Sequence, residues 1–380
     1  MSVRAVLTLV LCVLCYVPGD ASADDRWRGF GDARLQFFAS ERAARDGLET
    51  REEGMRLRLR AGAETPLATG WMLRGRLAGR FTTDQDRTRF WLKPWAPTRS
   101  GLDDGDATID ELFFTYAPQD APWSLRLGRF QTSFALADLM AKSLDRKNSS
   151  NVSIHWTDGL HWQYALSTAW RSHVVLQHNA SRGTGSTFRA PLSFDDSASR
   201  VSMFTALEST TNWGPVKQRV IGVTWLPSAL ATNGIDATRR DDYVTLTARG
   251  AAEWPLGDTG TRGVLGLEVG YAPNTPANSV VNSGDRGSAG GTAGQLSVSL
   301  FDFAPQHDIS FAYGLIDAGW LISPSYRGND LALEIRYRWR ISNDLRLEVR
   351  VRRREERALP SDAMQARIDE DLYVRLTARF

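Results

Sequence analysis

Cysteine is nearly missing: the 380 residues contain two, Cys12 and Cys15. Both sit in the first 23 positions, so residues 24–380 alone could make no disulfide, thiolate metal site or cysteine nucleophile. Lysine is also scarce, with Lys93, Lys142, Lys147 and Lys217 the whole complement, and arginine carries the positive charge. Acidic and basic residues nearly cancel, to a net charge of +2. Beyond residue 23 no apolar run approaches the roughly 20 residues that a membrane-spanning helix needs, and mean hydropathy is −0.32. A helical membrane protein is thereby excluded, while composition alone would still allow a soluble one.

The N-terminus has its own pattern. Arg4 gives a positive start, Ala5 to Val17 is almost wholly apolar, and Pro18-Gly19 precedes the small residues Ala21-Ser22-Ala23. Such a segment reads as an export signal, residues 1–23, cleaved after Ala23. About 13 apolar residues are too few to cross a bilayer as a helix. Cys15 follows Leu14, where a lipid-modified cysteine wants a small neighbour, so a lipoprotein signal is rejected.

From residue 30 onward, apolar and polar side chains alternate in segments of roughly ten residues, separated by Gly, Pro, Asn, Asp and Ser, a period of two that means strands. Leu331, Leu333, Ile335, Tyr337, Trp339 and Ile341 share one face of such a segment, and Ala332, Glu334, Arg336, Arg338 and Arg340 the other. Sixteen strands are expected, near 30–39, 54–64, 70–81, 108–118, 123–130, 159–169, 171–180, 201–208, 217–226, 242–253, 263–272, 293–302, 307–316, 330–341, 344–355 and 370–380. Their joins alternate in length. Short ones fall at 65–69, 119–122, 170, 209–216, 254–262, 303–306 and 342–343; long ones at 40–53, 82–107, 131–158, 181–200, 227–241, 273–292, 317–329 and 356–369. A soluble sandwich has no reason to sort loops by rim, whereas an up-and-down barrel with short periplasmic turns and long extracellular loops does.

The alternation could also come from a soluble sheet packed on a second sheet. Against that, the polar face is crowded with Arg, and Tyr116, Trp123, Trp162, Trp213, Trp225, Trp254, Tyr271 and Trp339 gather toward strand ends, as interfacial girdles do. Lipid leaves no water for unpaired backbone groups, so a spanning sheet must close on itself. The expected fold class is therefore all-β, a 16-stranded antiparallel transmembrane β-barrel over residues 24–380.

At this point a resemblance is visible. Leu372-Tyr373-Val374-Arg375-Leu376-Thr377-Ala378-Arg379-Phe380 resembles the C-terminal strand of Gram-negative outer-membrane proteins, whose final Phe is read by the barrel-assembly machinery. Leu125-Arg126-Leu127-Gly128-Arg129-Phe130-Gln131 resembles the strand entering the constriction loop of sixteen-stranded porins, with Phe130 intervening in the usual run. The resemblance implies an outer-membrane porin, a constriction loop at 131–158 carrying Asp138, Lys142, Asp145, Arg146 and Lys147, Phe380 as assembly signal, contact with lipid and lipopolysaccharide, and a homotrimer.

If the polar face lines the lumen, closure joins the two ends of the chain into one basic arc. It comprises Arg34, Arg56, Arg58, Arg60, Arg74, Arg76 and Arg80 with Arg336, Arg338, Arg340, Arg346, Arg350, Arg352, Arg354, Arg375 and Arg379, opposed in those strands by Glu334 and Glu348. A narrow channel with such a wall favours anions, unless carboxylates such as Asp103, Asp104, Asp106 and Asp145 balance it. Small anionic or polar solutes are the expected cargo, through a general pore or a channel dedicated to an acidic solute or polyanion. An outer-membrane enzyme is a distant third: His155, His161, His173, His178 and His307 are present, with Ser153 and Ser172 nearby, but no nucleophile elbow, zinc motif or acidic dyad stands out. Asp103-Asp104-Gly105-Asp106 lacks the spacing of a calcium loop. No cofactor is expected, and no nucleic acid, because the basic residues alternate with apolar ones.

Overall fold

The computed structural model describes residues 27–84, 87–91, 97–98, 101–102, 107–145, 156–178, 190–192, 201–233, 240–258 and 260–380. The proposed signal segment, Asp103, Asp104, Asp106, Arg146, Lys147, Ser153 and His155 lie outside them. Sixteen long strands follow one another: β1 (Arg28–Ala43), β2 (Glu49–Ala68), β3 (Trp71–Asp84), β4 (Ala107–Tyr116), β5 (Trp123–Phe130), β6 (Thr157–Ala165), β7 (Trp170–His178) and β8 (Val201–Ser209). The second half holds β9 (Val216–Leu230), β10 (Asp241–Pro255), β11 (Arg262–Tyr271), β12 (Thr292–Ala304), β13 (His307–Ile316), β14 (Asp330–Arg340), β15 (Leu345–Glu356) and β16 (Ile368–Arg379). Each pairs antiparallel with its neighbours in sequence, and β16 returns to β1 over twelve residue pairs, from Asp32↔Arg379 to Ala43↔Ile368. The sheet is a closed barrel. At the seam the amide of Gly31 donates to the carbonyl of Phe380 at 2.7 Å, and the amide of Phe380 donates back at 3.2 Å.

The two faces of the wall carry opposite chemistry. On β11, Leu265, Leu267 and Val269 point outward and Leu267 is 52 % exposed, while Glu268 between them is fully buried. Leu296 and Val298 on β12, Ile309 and Phe311 on β13, and Leu372 and Val374 on β16 repeat the arrangement. Exposed large apolar side chains around a cylinder with charge inside invert the order of a soluble protein. Near the short-turn rim Trp71 stacks on Tyr116 with ring centroids 4.6 Å apart, and Tyr116 meets Trp123 edge-on at 5.4 Å.

Several joins are shifted by a few residues, and two depart most from expectation. The first loop, expected at 40–53, is residues 44–48: β1 and β2 stay paired to Ala43↔Glu49. The extra rungs are polar on both faces, so no apolar alternation marks them as strand. The second departure is Arg87–Trp91, a short strand inside the expected 82–107 loop that pairs with the end of β3. Beyond it, residues 97–98 and 101–102 form a separate ladder of two pairs.

Candidate functional site: the barrel interior

Strand periodicity decides what faces inward. In β1, β2, β3, β14 and β15 the even-numbered residues do so, and in β16 the odd-numbered ones, which places Arg34, Arg56, Arg58, Arg60, Arg74, Arg76, Arg80, Arg336, Arg338, Arg340, Arg346, Arg350, Arg352, Arg354, Arg375 and Arg379 on the inner surface. Rows run across the strands: Arg80, Arg58 and Arg34 are successive cross-strand partners, then Thr377, Arg346 and Arg340.

Carboxylates are set among these guanidiniums, more than the Glu334 and Glu348 expected from the sequence. Asp32 accepts from Arg58 at 2.8 Å and from Arg60 at 2.6 Å. Asp371 accepts from Arg352 at 2.7 Å and also from Arg350. Asp308 takes Arg338 at 2.8 Å, Glu334 takes Arg336 at 2.6 Å, and Glu348 accepts from both Arg375 and Tyr373. Asp110 and Glu111, adjacent in sequence, both reach Arg76, at 2.8 and 3.0 Å. A β-bulge makes this possible, since Arg76↔Glu111 is followed by Leu77↔Ile109 and Asp110 is the extra residue. Strict alternation would send one of the two outward. Rings also support the arc: Arg56 lies 3.8 Å above Phe38 and Arg350 4.3 Å from the Tyr373 centroid, contacts suited to a planar guanidinium.

After β5 the chain turns inward, and residues 131–145 run along the wall from β6 to β14. Gln218 clamps their backbone, donating to Ala135 O and accepting from the Ala137 amide, both at 2.8 Å. Asp138 accepts from Ser297, and the Leu139 amide donates to Ser299 at 3.4 Å. Lys142 meets Glu334 at 2.7 Å, the Leu144 amide donates to Glu268 at 3.0 Å, and Thr224 donates to Asp145 at 2.8 Å. Glu268 in turn sits 3.0 Å from Arg249, both side chains fully buried.

The sequence predicts an outward loop at 317–329. Here the structure differs: this segment also enters the barrel. Trp320 is fully buried, and Leu321, Ile322 and Tyr326 are nearly so, in a cluster with Leu144, Leu192, Leu226 and Tyr243. Trp320 Nε1 donates to Leu144 O at 3.0 Å, Ser323 donates to Ser143 O at 3.0 Å, and Tyr243 donates to Gly319 O at 2.7 Å. The two inserted segments are therefore bolted to each other. Glycine makes room on the wall, since a Cβ at Gly270 would lie 2.5 Å from the Trp320 ring and one at Gly314 equally close to Tyr326. The apolar triplet Trp320-Leu321-Ile322, out of place in a solvated loop, was the available signal.

The histidines divide. His161 and His173 touch, ring nitrogens 3.2 Å apart, and His173 is 3.0 Å from Glu208. Phe134 packs against both rings. His307 lies at the short-turn rim against Tyr337 and Trp339. Ser172, next to His173, points to the opposite face of β7. Among the described residues no group of three or more His, Cys, Asp or Glu is arranged to hold a metal ion.

No family model matches the chain, and no curated protein matches it in sequence. Solved structures do. OprB of Pseudomonas putida superposes with a TM-score of 0.61 at 11% identity, over 93% of this chain and 94% of that one. The outer membrane channel DcaP of Acinetobacter baumannii gives 0.58 at 12% identity, over 95% and 99%. OccAB3 of the same organism gives 0.55 at 10% identity, over 93% and 99%. At such identities the likeness is one of architecture, and the chain has the sixteen-stranded antiparallel barrel of the Gram-negative outer-membrane porins.

Proposed function

We propose that the protein is an outer-membrane porin, a water-filled diffusion channel for small hydrophilic solutes that favours anions. The observation that carries the reading is the inversion of the wall, with apolar side chains outside and an arginine-rich surface inside. On this reading the segment 1–23 exports the chain, the strand ending in Phe380 is its assembly signal, and lipid and lipopolysaccharide surround it, in a homotrimer. Residues 131–158 form the constriction loop. Its Asp138 and Asp145 hydrogen-bond to wall hydroxyls, which draws their charge toward β9–β12, away from the arc on β14–β16 and β1–β3. Sixteen inward guanidiniums on those six strands outnumber the carboxylates interleaved with them, so field lines focused by low-dielectric walls favour negative solutes.

A second reading, a channel dedicated to an acidic solute or polyanion, draws support from the second inserted segment. Residues 317–329 with 131–145 fill the β9–β13 side, so a solute is pressed toward the arginine face. Planar-bilayer recording tests both. Ohmic conductance with an anion-directed reversal potential in a salt gradient supports the general pore; saturable block by one anion supports the dedicated one. Absence of conductance from folded protein would refute both.

A further inference from the structure

The inner surface at the short-turn mouth carries a feature distinct from the constriction. A cavity of about 400 Å³ opens there, bounded by Gln306, the Ser342-Asn343-Asp344 turn and the inner ends of β14, β15 and β16. Four guanidiniums line it: Arg338, Arg340, Arg346 and Arg379. Two are neutralised locally. Arg338 pairs with Asp308 at 2.7 Å, and Arg340 pairs with Asp302 and, at 3.4 Å, with Asp308. The other two differ: among the described residues, no side-chain hydrogen bond or salt bridge holds Arg346 or Arg379; Asp344 is the lining carboxylate not already paired, and Glu348, one inward position from Arg346, is taken up by Arg375 and Tyr373. Register makes this costly. Arg346 stands directly across from Arg340 on one side and from Thr377 on the other, with Arg379 one inward position further along β16. Like charges directly opposite on one face of a sheet destabilise it. An arrangement that concentrates two such forks beside a buried hydroxyl is one that an anion would relieve.

We propose that this mouth holds a binding site for a tetrahedral oxyanion, the phosphoryl group of a solute, formed by Arg346, Arg379 and the Thr377 hydroxyl. The chemistry follows from donor number. Two guanidinium forks and a hydroxyl, brought together from two strands, offer about five donors, one more than the roughly four lone-pair sites of a carboxylate, whereas three phosphoryl oxygens can take all of them and bring up to two negative charges. The role assigned to the site, capture of a phosphorylated solute at one end of the passage, rests on the channel reading. Binding itself does not.

The test uses the whole protein folded in detergent, with inorganic phosphate as probe and acetate as comparison, read by titration calorimetry. Phosphate is expected to bind once per chain and more tightly than acetate. Arg346→Gln with Arg379→Gln should weaken phosphate binding by about tenfold or more, the scale of losing charge-assisted hydrogen bonds. Arg346→Lys with Arg379→Lys keeps the charge and removes the fork, so it should also bind more weakly than the parent. The outward-facing Arg353→Gln should bind as the parent does. Unchanged affinity in the Gln pair, parental affinity in the Lys pair, or equal affinity for acetate would each overturn the site; should the Gln pair not fold, the Lys pair decides. Bilayer conductance on the same preparations separates the two readings. A protein that binds phosphate through these residues but conducts no ions keeps the site and loses the channel, and a conducting protein indifferent to the substitutions does the reverse.

Discussion

Asp32 shows how a single side chain sets the field of the interior. Its carboxylate accepts from Arg58 and Arg60 and lies 3.7 Å from Arg34, three guanidiniums that would otherwise crowd one patch of wall. Asp32→Asn should therefore act in two directions. Breaking a buried charge cluster costs about 3 kcal/mol, which lowers the urea midpoint of the barrel in detergent, and the freed positive charge moves the reversal potential further toward anions. A variant with parental stability and selectivity would show that water already screens this cluster. The complementary change, Arg58→Glu with Arg338→Glu and Arg350→Glu, should carry the reversal potential toward cations; an unmoved potential would remove the basic arc from the mechanism. The guanidiniums were legible in the sequence because they alternate with apolar residues. Their partners were less so. Asp110 and Glu111 share a face only through a bulge, and Asp302, Asp308 and Asp371 acquire meaning once the cross-strand register is known.

At the scale of elements, the strands declared themselves wherever one face met apolar surroundings and the other did not. Alternation failed where that contrast failed, as in the paired polar ends of β1 and β2 above the apolar band. It also failed for residues 317–329, whose placement depends on contacts with Tyr243, Gln295 and Leu144, far away in the chain. No local pattern encodes such a contact except the apolar triplet itself. Trp320→Ala with Tyr326→Ala should loosen this segment, costing about 3 kcal/mol or more for each large buried ring, and should raise single-channel conductance as the filled side opens. Conductance equal to that of the parent would mean that residues 131–145 alone set the width.

For the whole molecule, the proposed function requires lipid over the outside of the cylinder. Leu267 faces outward midway along β11 and is half exposed, with Glu268 and Gly266 facing in. Leu267→Arg should cost about 2–4 kcal/mol if that surface sits in hydrocarbon, measurable as a lower folded yield in vesicles than in zwitterionic detergent. A substitution as harmless as one on a soluble surface would sink the membrane reading altogether. The two segments lodged in the barrel add a consequence for its construction. Their anchors run from Asp110 on β4 through His161 and His173 on β6 and β7 to Asp369 on β16, so neither has its full seat until most of the wall stands. On the channel reading, a barrel closed without these segments seated would be a wider hole than the finished one.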